Sequence, residues 1–300
     1  MIPVIAYSTK KFAWMEVFAE SARRSELELI QIINESGTRS EKCKAFASTY
    51  RHLSPNPLAF ELACFERYFA ISDYASEKGY SSFFMSDTDI LFNDSVSDEL
   101  SHLTEGVDVM LSRPRRDYKG ASELIEYSPH FSFWTKEAID DFIDFVVKTY
   151  RTDEGKNLID QTYRSNRVIA PYSGVSDMTL CHLWLNANKP RLRNSVLVDE
   201  RYTIDHNIAM SDHAARNQFK KRNGIKSLDV DGGKLYFQSN NDKLSYPLVM
   251  HFQGKYKIIM RDVLNKKLAW AYAKAALVSG VRIAKGLKSR VLMQEAALVK

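Results

Sequence analysis

Ser82-Phe83-Phe84-Met85-Ser86-Asp87-Thr88-Asp89-Ile90-Leu91-Phe92 sets an acidic pair between two apolar runs. A short apolar run bounded by polar residues reads as a buried strand, and Asp-Thr-Asp then falls where that strand surfaces. In an open α/β sheet, ligands bind beyond the carboxyl ends of the strands. Two carboxylates there form half of a hard-cation site, with coordination positions left for phosphate oxygens. That pattern points to a metal-dependent enzyme acting on a nucleoside diphosphate. The same spacing recurs at Asp229-Val230-Asp231, but no apolar run precedes it and Gly232-Gly233 follows, then Lys234-Leu235-Tyr236-Phe237. The second copy therefore reads as a hairpin turn.

The composition is that of a globular enzyme. The chain of 300 residues suits one large α/β domain or two small ones, with 45% hydrophobic and 26% charged residues. No run approaches the roughly 18 uninterrupted apolar residues of a transmembrane helix. Met1-Ile2-Pro3-Val4-Ile5-Ala6-Tyr7 lacks a basic n-region and reads as a first strand. Cys43, Cys64 and Cys181 form no C-x-x-C pair and read as reduced core thiols, which places the chain in the cytoplasm. Asn34-Glu35-Ser36 and Asn93-Asp94-Ser95 match the glycosylation pattern, but no secretory signal gives it meaning. Net charge is +5, unevenly spread: from Gln253 to Lys300, eleven Lys and Arg face only Asp262 and Glu295, so the preceding body is net acidic. A basic tail on an acidic body suggests an anionic partner for the tail, either a membrane surface or nucleic acid.

Working outward from the acidic pair, the chain alternates strands and helices. Pro3 to Ser8 reads as a strand, Lys11 to Arg24 as an amphipathic helix and Glu28 to Ile33 as a second strand, a βαβ start that implies a parallel sheet. Ser54-Pro55-Asn56-Pro57 opens a helix from Leu58 to Lys78, with Phe60, Ala63, Cys64, Arg67, Tyr68 and Ile71 at helical spacing and Gly79 closing it. Later strands are expected at Asp108–Leu111, Phe131–Thr135, Val196–Val198, Lys234–Gln238 and Leu248–Met250. Helices are expected at Lys136–Tyr150, from Asp177 through Trp184, and over Asp262–Val299 with breaks near Gly280 and Gly286. Val168-Ile169-Ala170 reads as an apolar lead into the loop before Asp177. The run Arg113, Arg115, Arg116, Lys119, Gly120 reads as a mobile loop or a solvated turn.

A second informative segment is His251-Phe252-Gln253-Gly254-Lys255-Tyr256-Lys257, just past Leu248-Val249-Met250. An imidazole at a strand end can join two carboxylates in a mixed oxygen and nitrogen metal site. Gly254 lets backbone approach a phosphate, and Lys257 can neutralise a leaving diphosphate.

In this order of parts the chain resembles the GT-A glycosyltransferases that use nucleotide-sugar donors: a βαβ start, a helix, an apolar strand with Asp87-Thr88-Asp89, and a late His. His251-x-x-Gly254-x-x-Lys257 is similar to the ending of the glycogenin and lipopolysaccharide-galactosyltransferase family, which continues Pro-Trp where this chain has Ile258-Ile259. The resemblance implies a Rossmann-like, mixed but mostly parallel sheet flanked by helices over residues 1–260, with a basic helical tail over 261–300. It implies that Asp87, Asp89 and His251 hold Mn²⁺ or Mg²⁺, and that Ser86, Thr88, Gly254 and Lys257 meet the donor. It also places the base and ribose, those of a UDP-sugar by preference, at the loop of Tyr7 and Ser8, with Tyr7 either stacking on the base or closing the strand end. Arg67 reaches the donor or forms an ordinary surface ion pair. Asp177 serves as general base in an inverting enzyme, positions the sugar in a retaining one, or sits at a helix N-terminus. Asp205 and His206 are second candidates, for acceptor contact or for a plain surface loop.

The implied acceptor is a saccharide or a lipid-linked saccharide of cell-surface polysaccharide. Leu264, Leu268, Ala271, Tyr272, Ala275, Val278, Arg282 and Ile283 sample helical spacing among Lys266, Lys267, Lys274, Lys285, Lys288 and Arg290. Such a helix either lies on an anionic membrane at its cytoplasmic face or packs on the domain. Two other classes share features of the chain. Haloacid-dehalogenase-type phosphatases pair an apolar strand with D-x-D, and Asp140-Asp141 stands in for their late acidic pair, though they place a Thr where Ile90-Leu91-Phe92 stand. A non-catalytic membrane-surface or nucleotide-sugar-binding protein is the third. Nucleic acid is not expected as a partner, because no DNA- or RNA-binding motif stands out and the body is acidic.

Overall fold

The computed structural model describes residues 1–113, 126–195, 202–209 and 219–280. The expected βαβ start is present as β1 (Val4–Ser8), α1 (Met15–Arg24) and β2 (Leu29–Ile33), with β1 and β2 parallel. Then follow α2 (Glu41–Thr49), α3 (Leu58–Lys78), β3 (Ser82–Ser86), β4 (Ile90–Phe92), α4 (Ser97–His102), β5 (Val109–Ser112) and β6 (Ser128–Thr135). A helical stretch continues through α5 (Lys136–Arg151), α6 (Asp153–Ile169) and α7 (Asp177–Asn188) to β7 (Leu192–Asn194). The later chain holds β8 (Tyr202–Ile204), β9 (Lys221–Arg222), β10 (Ile225–Lys226), β11 (Leu228–Asp231), β12 (Lys234–Gln238) and β13 (Leu244–His251). A 3-10 helix at Gly254–Ile259, α8 (Met260–Leu264) and a helix over 268–280 follow.

The main sheet runs β2-β1-β3-β6-β5-β7, and only β6 opposes its neighbours. It is the mixed, mostly parallel, helix-flanked sheet expected from the sequence. Strand side chains alternate between faces, and this alternation divides the core. Ile5, Phe83, Met85 and Trp134 point to one face, where they pack against Phe46 of α2, Phe65 and Phe69 of α3, Phe142 of α5 and Trp184 of α7. Val4, Ala6, Phe84 and Phe133 point to the other, against Phe18 of α1 and Ile90, Phe92 and Leu248 of a second sheet. Each fully buried Phe contributes about 1.5–3 kcal/mol relative to an exposed one. The second sheet runs β11-β12-β13-β4, with β8 beside β13.

The Asp229–Asp231 repeat is the expected hairpin. Asp231 pairs with Lys234 across Gly232-Gly233, both at positive φ (53° and 78°), which a tight two-residue turn requires.

Several expectations change. The first helix starts at Met15, not Lys11, leaving Phe12 and Trp14 on the loop before it. α2 and α6 were not foreseen, and Val168-Ile169, read as an apolar lead into the loop before Asp177, is the end of α6. Phe60, counted with the α3 spacing, is exposed. The tail breaks at 265–267, and Gly280 lies within a helix. Arg115, Arg116, Lys119, Gly120, Val196-Leu197-Val198, Arg282, Ile283, Lys285, Gly286, Lys288 and Arg290 lie outside the described residues.

One glycine holds two loops together. Val175 donates its N–H to the Leu53 carbonyl at 3.0 Å, and a Cβ at Gly174 would sit 2.2 Å from that same oxygen and 2.8 Å from the Ser54 Cα. Because the obstruction is backbone, Gly174→Ala must push the two loops apart. Urea denaturation is expected to show a loss of about 1–3 kcal/mol, and an unchanged midpoint would show that the loops separate freely.

Candidate active site

The chain leaves the main sheet at Ser86, spans Asp87-Thr88-Asp89 and joins the second sheet as β4. There Ile90 pairs with His251, Leu91 with Met250 and Phe92 with Val249, and Phe252 donates its N–H to the Asp89 carbonyl at 2.9 Å. This register sets the imidazole beside the acidic pair. Ligand-type atoms of Asp87, Asp89 and His251 all lie within 4.8 Å of one another.

His251 Nε2 is 3.3 Å from Asp89 Oδ1, while its Nδ1–H donates to the His206 carbonyl at 2.6 Å. That second bond fixes the ring and leaves Nε2 as the atom aimed at the carboxylates. Burial works against charge on His251, but Asp89 and Asp87 outweigh it and raise its pKa above the ordinary imidazole value. Burial likewise works against the Asp89 anion, yet His251 and Lys257 hold its pKa below the usual carboxylate range. Enclosure raises Asp87 against the pull of Arg67, and the charge of Asp89 adds to the rise. Two carboxylates so close ionise together only beside concentrated positive charge. Two oxygen donors and an oriented imidazole suit a divalent cation such as Mn²⁺ or Mg²⁺.

Cations surround the pair. Lys257, on the 3-10 helix after β13, places Nζ 2.6 Å from Asp89 Oδ2 and 5.0 Å from the centre of the Trp14 ring. Arg67 of α3 joins Asp87 at 2.6 Å and Asp177 at 2.5 Å with its two terminal nitrogens. It is a partly buried bridge between two carboxylates on the cleft, rather than the ordinary surface ion pair expected as its alternative. Asp177 also accepts from the Tyr68 hydroxyl at 3.2 Å and the Met178 N–H at 2.9 Å, and it is buried. These bonds fix Asp177 in place, and through its contact with Arg67 it orients that guanidinium beside Asp87. Ser176 caps α7 through a capping box with Thr179.

These groups line a cleft of about 1080 Å³, together with Tyr7, Ser8, Thr88 and Gly254. Tyr7 donates its hydroxyl to Glu66 at 3.2 Å and accepts from Asn34 at 3.2 Å, and the Ser8 hydroxyl donates to the Lys10 carbonyl at 2.7 Å. Ser86, expected at the donor, is buried outside the cleft lining and donates its hydroxyl to the Asp87 carbonyl. Asp205 and His206, expected to touch an acceptor, are buried beneath His251 instead. Asp205 pairs with the fully buried Lys226 at 2.6 Å and accepts the His251 backbone N–H at 3.2 Å. Both are supports of the site, placed there because β8 runs parallel beside β13.

Three features were not anticipated. His130 stacks on His251 with ring centres 4.6 Å apart and planes 9° apart, and its Nε2–H donates to the Asp205 carbonyl at 3.1 Å. Burial and the neighbouring His251 keep its pKa well below the ordinary value. Starting the strand at Phe131 excluded it; a His entering an apolar run was the available signal. Phe12 and Trp14 stack at 4.4 Å on the cleft wall, and Trp14 Nε1–H donates to Thr88 Oγ1 at 3.2 Å. Glu61, also on the wall, is buried and accepts from Ser54 Oγ at 2.7 Å and Asn56 Nδ2 at 2.6 Å. The Ser54-Pro55-Asn56-Pro57 breaker cluster thus shapes the cleft as well as opening α3.

Asp140 and Asp141, the late acidic pair of the phosphatase reading, lie away from the cleft. Asp140 accepts from Ser72 at 2.6 Å, and Asp141 from the Trp184 indole at 2.7 Å.

No protein-family model matches the chain, and no curated protein does. Among solved structures, the galactosyltransferase LgtC in complex with donor and acceptor sugar analogues is similar at 13% identity and a TM-score of 0.45, covering 93% of this chain and 96% of that one. Mouse xyloside xylosyltransferase 1 in its apo form matches at 8% identity and 0.42, over 64% of this chain and 84% of that one. A glycosyltransferase involved in glycosylating the major capsid of PBCV-1 matches at 13% and 0.31, over 51% and 68%. At such identities and scores, any functional reading rests on the geometry of the site itself.

The Lys226–Asp205 pair supports that geometry from below. Asp205→Asn removes the charge that the fully buried Lys226 meets at 2.6 Å and is expected to cost about 3–5 kcal/mol in urea unfolding. A loss below about 1 kcal/mol would show that the pair does not hold the His251 segment in place.

Proposed function

We propose that the chain is a metal-dependent glycosyltransferase of the GT-A class, moving a sugar from a nucleoside-diphosphate donor, UDP-linked by preference, to a saccharide or lipid-linked acceptor of cell-surface polysaccharide. The observation that carries this reading is the convergence of Asp87, Asp89 and His251 at one end of a large cleft, with Lys257 2.6 Å from Asp89. A divalent ion held by these three residues supplies Lewis-acid neutralisation of a leaving nucleoside diphosphate.

The chain's own residues do the rest. The Lys257 ammonium stands within reach of whatever the carboxylates hold and adds positive charge where the leaving group gathers negative charge. Gly254, at φ 66°, keeps the backbone beside it open to a close approach by phosphate. Arg67, held by Asp87 and Asp177, presents a fixed guanidinium between the metal ligands and the remainder of the cleft. The stacked Phe12 and Trp14, with Tyr7, form the aromatic wall against which a base and ribose fit. Asp140 and Asp141, which the phosphatase reading would use, are not among the described residues that line the cleft.

The test is donor hydrolysis by the purified chain across UDP-, GDP-, CMP- and dTDP-sugars, with and without Mn²⁺, beside p-nitrophenyl phosphate. Metal-dependent nucleotide release from one donor is expected, abolished by a chelator. Asp89→Ala is expected to lower it about 100- to 1000-fold, the several kcal/mol such an ion supplies. Phosphate-ester hydrolysis without donor turnover would instead make the protein a phosphatase. Lys257→Ala is expected to reduce kcat for the same donor about 10- to 100-fold, more than it changes KM. An unchanged kcat would remove Lys257 from the leaving-group role.

A further inference from the structure

The helix over 268–280 is apolar on two opposite faces. The stripe that the sequence offers to a membrane is taken by the body: Ala271, Tyr272 and Ala275 are buried in one cluster with Ile225, Leu228 and Phe237. The Tyr272 hydroxyl donates to the Leu228 carbonyl at 3.0 Å, anchoring that side. The opposite face carries Ala269, Trp270, Ala273, Ala276 and Leu277, all exposed, Trp270 by 66% and Leu277 by 72%. Their spacing of three and four residues makes a single stripe. A helix apolar all round is ordinarily covered all round.

We propose that this outer face rests on the surface of an anionic lipid bilayer. Charge selects that occupant. Lys267 and Lys274, seven residues apart, border the same edge of the stripe; Lys267 is exposed and Lys274 is paired with Asp262 at 2.6 Å. The sequence beyond Gly280 adds Arg282, Lys285, Lys288, Arg290 and Lys300 against Glu295 alone. A second copy docked on this face would set Lys267 against its like-charged counterpart, whereas anionic headgroups would neutralise it. Trp270 is the side chain that favours the headgroup level. Among the described residues no helix is long and apolar enough to cross a membrane, so the helix lies along the surface. The inference does not depend on the reaction proposed above.

Sedimentation of the full chain with phosphatidylcholine vesicles, with and without phosphatidylglycerol, tests it. Binding is expected only with the anionic lipid and is expected to weaken in high salt. The double variant Trp270→Glu and Leu277→Glu is expected to bind at least about tenfold more weakly, with an unchanged circular dichroism spectrum and melting temperature because both positions are exposed. A chain that stays in solution beside anionic vesicles overturns the proposal, as does a double variant that sediments like the parent. A concentration-dependent dimer in light scattering, lost in the variant, assigns the face to a second copy and overturns it equally.

Discussion

The pairing of Ile90 with His251 is the constraint on which the site depends. β3 ends in one sheet, β4 begins in another, and the three residues between them are the acidic pair and Thr88. Because β4 is only three residues long and antiparallel to the end of β13, little freedom remains in where Asp89 lies relative to the imidazole. A slip of one residue would turn His251 to the opposite face of the sheet and empty the centre of its nitrogen donor. Core packing enforces the register, since Ile90, Leu91, Phe92, Val249 and Met250 are all buried.

Around that seam the protein balances charge at close range. Asp87 leans on Arg67, Asp89 on Lys257 and His251, and Asp205 on Lys226. Charges removed from water persist only when paired, so the acidic pair is balanced from both sides of the cleft. Asp177 belongs to the same account: it holds Arg67 in position, and through Arg67 it reaches Asp87. His130 lies flat on His251, so the ring that faces the two carboxylates is held by stacking as well as by the His206 carbonyl.

Local signals were legible in the sequence where they were strong and self-contained. α3 opens and closes at the residues that Pro57 and Gly79 mark, and the Gly232-Gly233 hairpin follows from its two glycines. The centre itself was legible because Asp87 and Asp89 sit at a strand end and His251 at another. What failed needed tertiary information. α6 begins two residues after α5 ends and buries only Ile159 and Asn166, so its mostly polar sequence gave few core positions to read. Asp205 and His206 looked like loop residues because nothing local shows that β8 will lie against β13 and bury them. The tail's apolar spacing was real, but one face of a helix does not say what will cover it; here the body does.

The seam also sets a schedule. Its two halves are separated by about 160 residues of chain, and a ribosome adds roughly 5–20 residues each second. For roughly 8 to 30 s after it emerges, the acidic pair is without its imidazole and β4 is without its partner strand, while the βαβ start, whose contacts are near in sequence, can already fold. The centre is therefore among the last parts of the molecule to exist. A chain interrupted between β7 and β13 would carry every strand of the main sheet and neither His251 nor Lys257.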